Sequence, residues 1–172
     1  MNMRYMHFLG RDEAKVLEKK LRREIAEQPG PELVLYYESG VRSYMDAANA
    51  ITASTGKFTE ATLLFLWCIS DGAWNDETAT TEPWSRFRHW RRAAGENRRL
   101  SEAPGHQFGA DEAEHLSTAV GFALELGWDA LLAAKPKRHL LLLSHDDRME
   151  IYHGFKRRLL AEKLIALGYW HR

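Results

Sequence analysis

The sequence predicts an α+β fold that is predominantly helical, with about six helices, a short three-stranded antiparallel β-meander at about 128–153, and a closing helix. Three observations carry that expectation. Apolar residues recur at helical spacing through most of the chain before Trp128, and glycine and proline punctuate the stretches between. After Trp128 the pattern changes to short apolar runs separated by Lys-Pro-Lys and by Ser-His-Asp-Asp, which are turn sequences. The 172 residues suit one globular domain, 1–172, large enough to bury a core without disulfide or metal staples.

Taken in order, Ala14, Leu17, Leu21 and Ile25 form a stripe with Asp12 at its head, which predicts a helix over 12–28 that Pro29-Gly30-Pro31 terminates. Leu33-Val34-Leu35-Tyr36-Tyr37 is too short for periodicity to separate strand from buried helix, and it leans to helix. A second helix is expected over 41–52. A third, over 59–70, is apolar nearly all round, the mark of a central helix. Residues 71–82 read as a loop, and Pro83 opens a helix over 84–94 whose stripe is Trp84, Phe87, Trp90 and Ala94. Beyond a loop over 95–109, Asp111 heads a helix with Leu116, Val120, Ala123 and Leu124 that ends at Gly127. Three strands joined by two turns follow, and Phe155, Leu159, Leu160, Leu164 and Leu167 mark the closing helix. Tyr5, Met6 and Phe8 suit an edge strand of the meander or a dimer contact.

Composition narrows function mainly by exclusion. Lys plus Arg and Asp plus Glu both number 24, so global charge steers the chain toward neither nucleic acid nor an anionic surface. The lone cysteine, Cys68, sits in the apolar run 63–69 and reads as a structural thiol rather than a nucleophile. That cysteine usage and the charged stretch 11–23, which does not resemble a signal peptide, lead us to expect a cytoplasmic protein. The apolar runs fall short of the roughly 18–20 residues needed to span a bilayer, so no membrane association is expected.

No glycine-rich phosphate loop, G-x-S-x-G, H-E-x-x-H or cysteine pair occurs, and we expect neither catalytic residues nor a cofactor. Ser144-His145-Asp146 is no triad, because neighbours in an extended segment point to opposite faces. Asp71, Asp76 and Glu77 share a loop with Trp74, Asn75 and Trp84, the mixture a sugar site uses, but without a glycosidase pattern. His145, Asp147 and His153 flank one hairpin and are the only metal-ligand candidates worth naming, as part of a metal-dependent hydrolase. The arginine-rich segment 86–99, interleaved with Trp84, Phe87 and Trp90, supports a second reading as an RNA- or DNA-binding regulator. The leading expectation is a small protein-binding inhibitor or adaptor, such as a bacterial immunity protein or a phage-type inhibitor of a defence enzyme. Its expected binding surface is Trp74, Asp76, Glu77, Trp84, Arg88, Arg91 and Arg92, rich in the residue types that dominate interface hot spots.

Overall fold

A computed structural model describes residues 6–38, 43–70, 80–136 and 139–171. The elements run β1 (His7–Leu9), α1 (Arg11–Ala26), β2 (Leu33–Tyr36), α2 (Tyr44–Thr55), β3 (Glu60–Phe65), α3 (Leu66–Ser70), α4 (Trp84–Ala93), β4 (Gly105–Gly109), α5 (Ala113–Glu125), β5 (Ala130–Lys135), β6 (His139–Ser144), β7 (Arg148–His153) and α6 (Arg157–Ala166). All seven strands join one sheet in the order β1-β4-β3-β5-β6-β7-β2, and every pairing is antiparallel.

This corrects the expected fold class: the protein is a sheet-rich α+β structure, not a mainly helical one with a three-stranded meander. β5, β6 and β7 do follow one another as hairpins, but they form the middle of a seven-stranded sheet. The expected central helix over 59–70 is instead β3 followed by the five-residue α3. Leu33–Tyr36 is a strand, and the expected loop over 95–109 contains β4. Phe8 lies in an edge strand, yet that strand pairs with β4, at the far side of the sheet from β7.

One physical fact explains these differences. Helices cover both faces of the sheet, so its central strands are apolar on both sides and lose the in-out alternation that marks a half-buried strand. On one face Leu63, Phe65, Leu132, Leu141, Leu143 and Ile151 pack with α2, α4, α5 and α6. On the other, Leu64, Leu131, Leu140 and Tyr152 pack under Ala14 and Leu21 of α1. α3 straddles the two layers, sending Leu66 and Ile69 toward α1 and Cys68 to the opposite core. α2 and α5 approach closely through small residues, with Gly121 against Met45 and Ala48, and Ser117 Oγ donates to Asn49 Oδ1 at 2.7 Å.

Each sheet edge carries a contact from elsewhere in the chain, of the kind that blunts an open strand. On β1 the Arg98 guanidinium donates to the Phe8 carbonyl at 3.0 Å. On β2 the backbone of Trp170 exchanges two hydrogen bonds with Tyr36, at 2.7 and 2.9 Å. No described helix is long and apolar enough to cross a membrane.

His106 of β4 is fully buried, ringed by Phe8, Phe65, Phe87 and Trp90, and neither of its ring nitrogens has a hydrogen-bond partner among the described residues. Burial, reinforced by the Arg91 charge, drives its pKa well below the ordinary histidine value. The native ring therefore stays neutral where the unfolded chain, with a histidine pKa of about 6.5, takes up a proton. Stability should accordingly fall as pH drops below about 6.5, and a His106→Leu variant should show a flatter dependence when the two are unfolded by urea between pH 5 and pH 8. A second expectation concerns Gly105, where an added Cβ would lie 2.8 Å from Leu9 Cβ and 3.1 Å from Leu64 Cδ2. Gly105→Ala should cost about 1–3 kcal/mol in the same experiment by forcing the Leu9 and Leu64 side chains of the two flanking strands away from β4.

Candidate functional site

One end of the sheet gathers the chemistry. It comprises the exit of β3 into α3, the entry to β5, the β6–β7 turn and the exit of β2. α5 ends at Gly127, whose φ of 63° lets the chain reverse, while the amide of Trp128 reaches back to the Ala123 carbonyl at 2.9 Å. That turn sends the two following residues in opposite directions. Trp128 packs edge-on against Phe65, Trp84 and Phe87, at ring separations of 5.3, 4.9 and 5.3 Å. Asp129 faces the β6–β7 turn.

There Asp129 collects three donors. Its Oδ1 accepts the backbone N–H of His145 at 2.8 Å, the ring Nδ1 of His145 lies 2.9 Å from Oδ2, and the indole N–H of Trp67 donates to Oδ2. Burial alone would raise the Asp129 pKa, but the hydrogen bonds from the His145 backbone, the Trp67 indole and the His145 ring outweigh it and hold the carboxyl below its usual range. The same hydrogen bond, with the charge of Asp129 behind it, raises the pKa of His145. Trp67 is pinned on its second side by the edge of the His145 ring, 5.4 Å between centroids, yet remains 50 % exposed. His145 Nε2 faces Asp146 Oδ1 at 3.4 Å.

Beside this group lies a pocket of about 250 Å³ lined by Phe65, Trp67, Cys68, Leu126, Gly127, Trp128, Asp129 and His145. Among the described residues its lining is mainly aromatic and aliphatic, with the polar side chains of Asp129 and His145 beside them. Farther along the same sheet end, the rings of Tyr37 and Tyr169 pack at 5.0 Å with their planes tilted by 41°, and both hydroxyl pKa values are raised, first by burial. The Tyr37 amide donates to the Asp147 carbonyl at 3.0 Å, which ties the β2 exit to the β6–β7 turn.

The surface expected from the sequence is distributed differently. Trp74, Asp76 and Glu77, with Asp71 and Asn75, lie outside the described residues. Trp84 is 4 % exposed and belongs to the core. Arg91 is 3 % exposed, and its guanidinium donates to the carbonyls of Arg98 and Ala103 at 3.3 and 2.9 Å. The spacing explains why: Arg91 stands seven positions after Trp84 and four after Phe87, on the buried stripe of α4. Arg88 is half-buried and Arg92 is exposed. Arg86 is bound by Glu82 and Glu125, both at 2.7 Å, and Arg98 by Glu96 at 2.6 Å. Two arginines of the segment 86–99, Arg86 and Arg98, are thus paired with carboxylates of the same chain.

Nor does the hairpin assemble a metal set. His153 pairs with Leu140 at the far end of β7 from the turn that holds His145 and Asp147, roughly 20 Å away at the strand rise. Among the described residues no group of three or more His, Cys, Asp or Glu side chains is placed to hold a metal ion. Sequence reasoning picked out His145 but missed its partner Asp129 and the exposed Trp67. The one legible signal was the order Gly127-Trp128-Asp129 after a helix, since a glycine terminator launches the next residues in a set direction.

No family model matches the chain, and no curated protein or solved structure matches it significantly.

The Asp129–His145 contact has a defined pH window. The part carried by Asp129 is lost as pH falls through its lowered pKa, and the part carried by His145 is lost as pH rises through its raised one. In an Asp129→Asn variant, the ring resonances of His145 followed by NMR should titrate close to the ordinary value of about 6.5, below the native midpoint. An unchanged midpoint would mean that the contact is not formed in solution.

Proposed function

We propose that this protein acts by binding another protein, as an inhibitor or adaptor, through the sheet end that carries Trp67, Trp128, Asp129 and His145. The single observation behind this reading is a half-exposed tryptophan held rigid at the mouth of a pocket. Trp67 is fastened by its indole N–H to Asp129 and by its ring to His145. A large apolar side chain already fixed in place loses little freedom on association, so more of its burial appears as affinity. Tryptophan is also the residue type most concentrated at interface hot spots.

Size supports a macromolecular partner over a free metabolite. At about 250 Å³ the pocket lies below the roughly 300–1,000 Å³ typical of small-molecule sites and suits one inserted side chain. A second exposed tryptophan widens the surface: Trp170, 40 % exposed, stacks on Tyr36, whose strand partner Arg148 adjoins the turn at His145. Four strand spacings separate β3 from β2, so the two sites lie roughly 20 Å apart across the sheet.

The test is affinity capture from the source cell with the native chain and with Trp67→Ala. The native protein should retain a stoichiometric protein partner. Trp67→Ala, with an unaltered far-ultraviolet spectrum, should bind that partner at least about 30-fold more weakly, the mark of a hot spot. No stoichiometric partner, or equal binding by the variant, would refute the proposal.

A further inference from the structure

We infer that β1 is a pH-released strand: uptake of a proton by His106 frees the segment His7–Leu9 from β4 while the rest of the sheet stays folded. This is independent of the protein-binding reading, and it goes beyond the fall in overall stability expected from the same histidine. It rests on where the ring sits and on which of its neighbours can yield.

His106 stands opposite Phe8 of β1, with Leu63 of β3 on its other side. Its side chain is 0 % exposed and is enclosed by four rings, with Phe8 edge-on at 5.0 Å, Phe65 edge-on at 5.1 Å, Trp90 nearly parallel at 5.9 Å and Phe87 at 6.1 Å. Among the described residues neither ring nitrogen has a hydrogen-bond partner. An imidazolium in that cage carries two N–H donors and a charge with no acceptor to meet them, which is the costliest kind of buried group.

The groups on the surrounding elements do not relieve it. From α4 the charge that acts on the ring is Arg91, and its sign is the same as that of an imidazolium. In the loop after α4, Glu96 is engaged by Arg98 at 2.6 Å, and Arg98 also donates to the Phe8 carbonyl. The acidic residue of β3, Glu60, is paired with Lys135, His7 of β1 is exposed, and His115 of α5 packs on Trp90 at 6.3 Å.

A protonated ring must therefore reach water, and its walls differ in how firmly they are held. Phe65 lies in an interior strand bonded on both sides, and Phe87 and Trp90 share the ten-residue α4. Phe8 belongs to a three-residue strand at the sheet edge, paired with β4. Short edge segments open at less cost than the core. The Arg91 guanidinium lies 5.6 Å from the centroid of the Phe8 ring, so removal of that ring also lets water screen the two cations from each other.

The test is amide hydrogen exchange followed by NMR on the whole chain between pH 7.5 and pH 5, expressed as protection factors so that the intrinsic pH dependence of exchange cancels. Protection in His7–Leu9 should fall up to about tenfold per pH unit below about 6.5, the slope of one proton. At pH 5 it should lie at least about tenfold below that of β5 and β6 and change little with low urea, whereas protection in β5 and β6 falls with urea as global unfolding requires. His106→Leu and His106→Met should each abolish the pH slope in β1. A slope that persists in either folded variant, no slope in the native chain, or β1 protection that matches β5 and β6 in size and urea dependence at pH 5 would overturn the inference. The urea comparison is made on the native chain, so it decides the matter even where a variant fails to fold.

Discussion

Phe87 is where the layers of this protein are locked together. Its ring meets Phe65 of β3 at 5.6 Å, Trp84 and Trp90 of its own helix at 5.5 and 5.9 Å, Phe122 of α5 at 5.2 Å and Trp128 at 5.3 Å. Aromatic pairs at such separations add stabilisation beyond the area they bury, and here one residue collects five of them. The cluster seats α4 on the sheet and fixes Trp128, and through Trp128 it sets the direction in which Asp129 leaves the end of α5. The candidate site therefore inherits its geometry from the core beneath it.

The site itself is a meeting of chain ends. A glycine-capped helix delivers Asp129, a hairpin turn delivers His145, and the passage from β3 to α3 delivers Trp67. None of the three is close to another in sequence: 62 residues separate Trp67 from Asp129, and 16 separate Asp129 from His145. The antiparallel sheet brings them together because Phe65 pairs with Ala130 and Ala130 with Leu143, so the three chain segments meet at one end of it, and the contacts then fix one another. The carboxylate holds the indole and the imidazole, and the indole is left standing in solvent with little freedom to move. The arginines of α4 and the loop after it serve the opposite purpose: Arg91 satisfies interior carbonyls and Arg98 caps an edge strand.

Much of the local structure was legible residue by residue. The stripe Ala14, Leu17, Leu21 and Ile25 marks α1, although the helix opens one residue before Asp12 because β1 runs directly into it through Gly10. Trp84 and Phe87 mark the buried face of α4, and Gly127 marks the end of α5. The punctuation after Trp128 separates β5, β6 and β7 correctly. What misled the reading was burial on two sides. Ala61-Thr62-Leu63-Leu64-Phe65 has no polar face to show, so it resembles a central helix as much as a central strand. β4, bounded by glycines and carrying His106 and Gln107 between them, lacks the β-branched residues that announce a strand.

By itself the sequence determined the elements whose signals are local: helices with one wet face, the glycine that ends α5, and the presence of a tightly punctuated C-terminal run of strands. These follow from the periodicity of a backbone whose neighbours in space are neighbours in sequence. Only the tertiary structure decided that the strands join one seven-stranded sheet, that Arg91 turns inward while Trp67 remains in solvent, and that Asp129 meets His145. Each of these depends on contacts between residues far apart along the chain, and side-chain pattern within any one segment carries no information about which distant segment will lie against it.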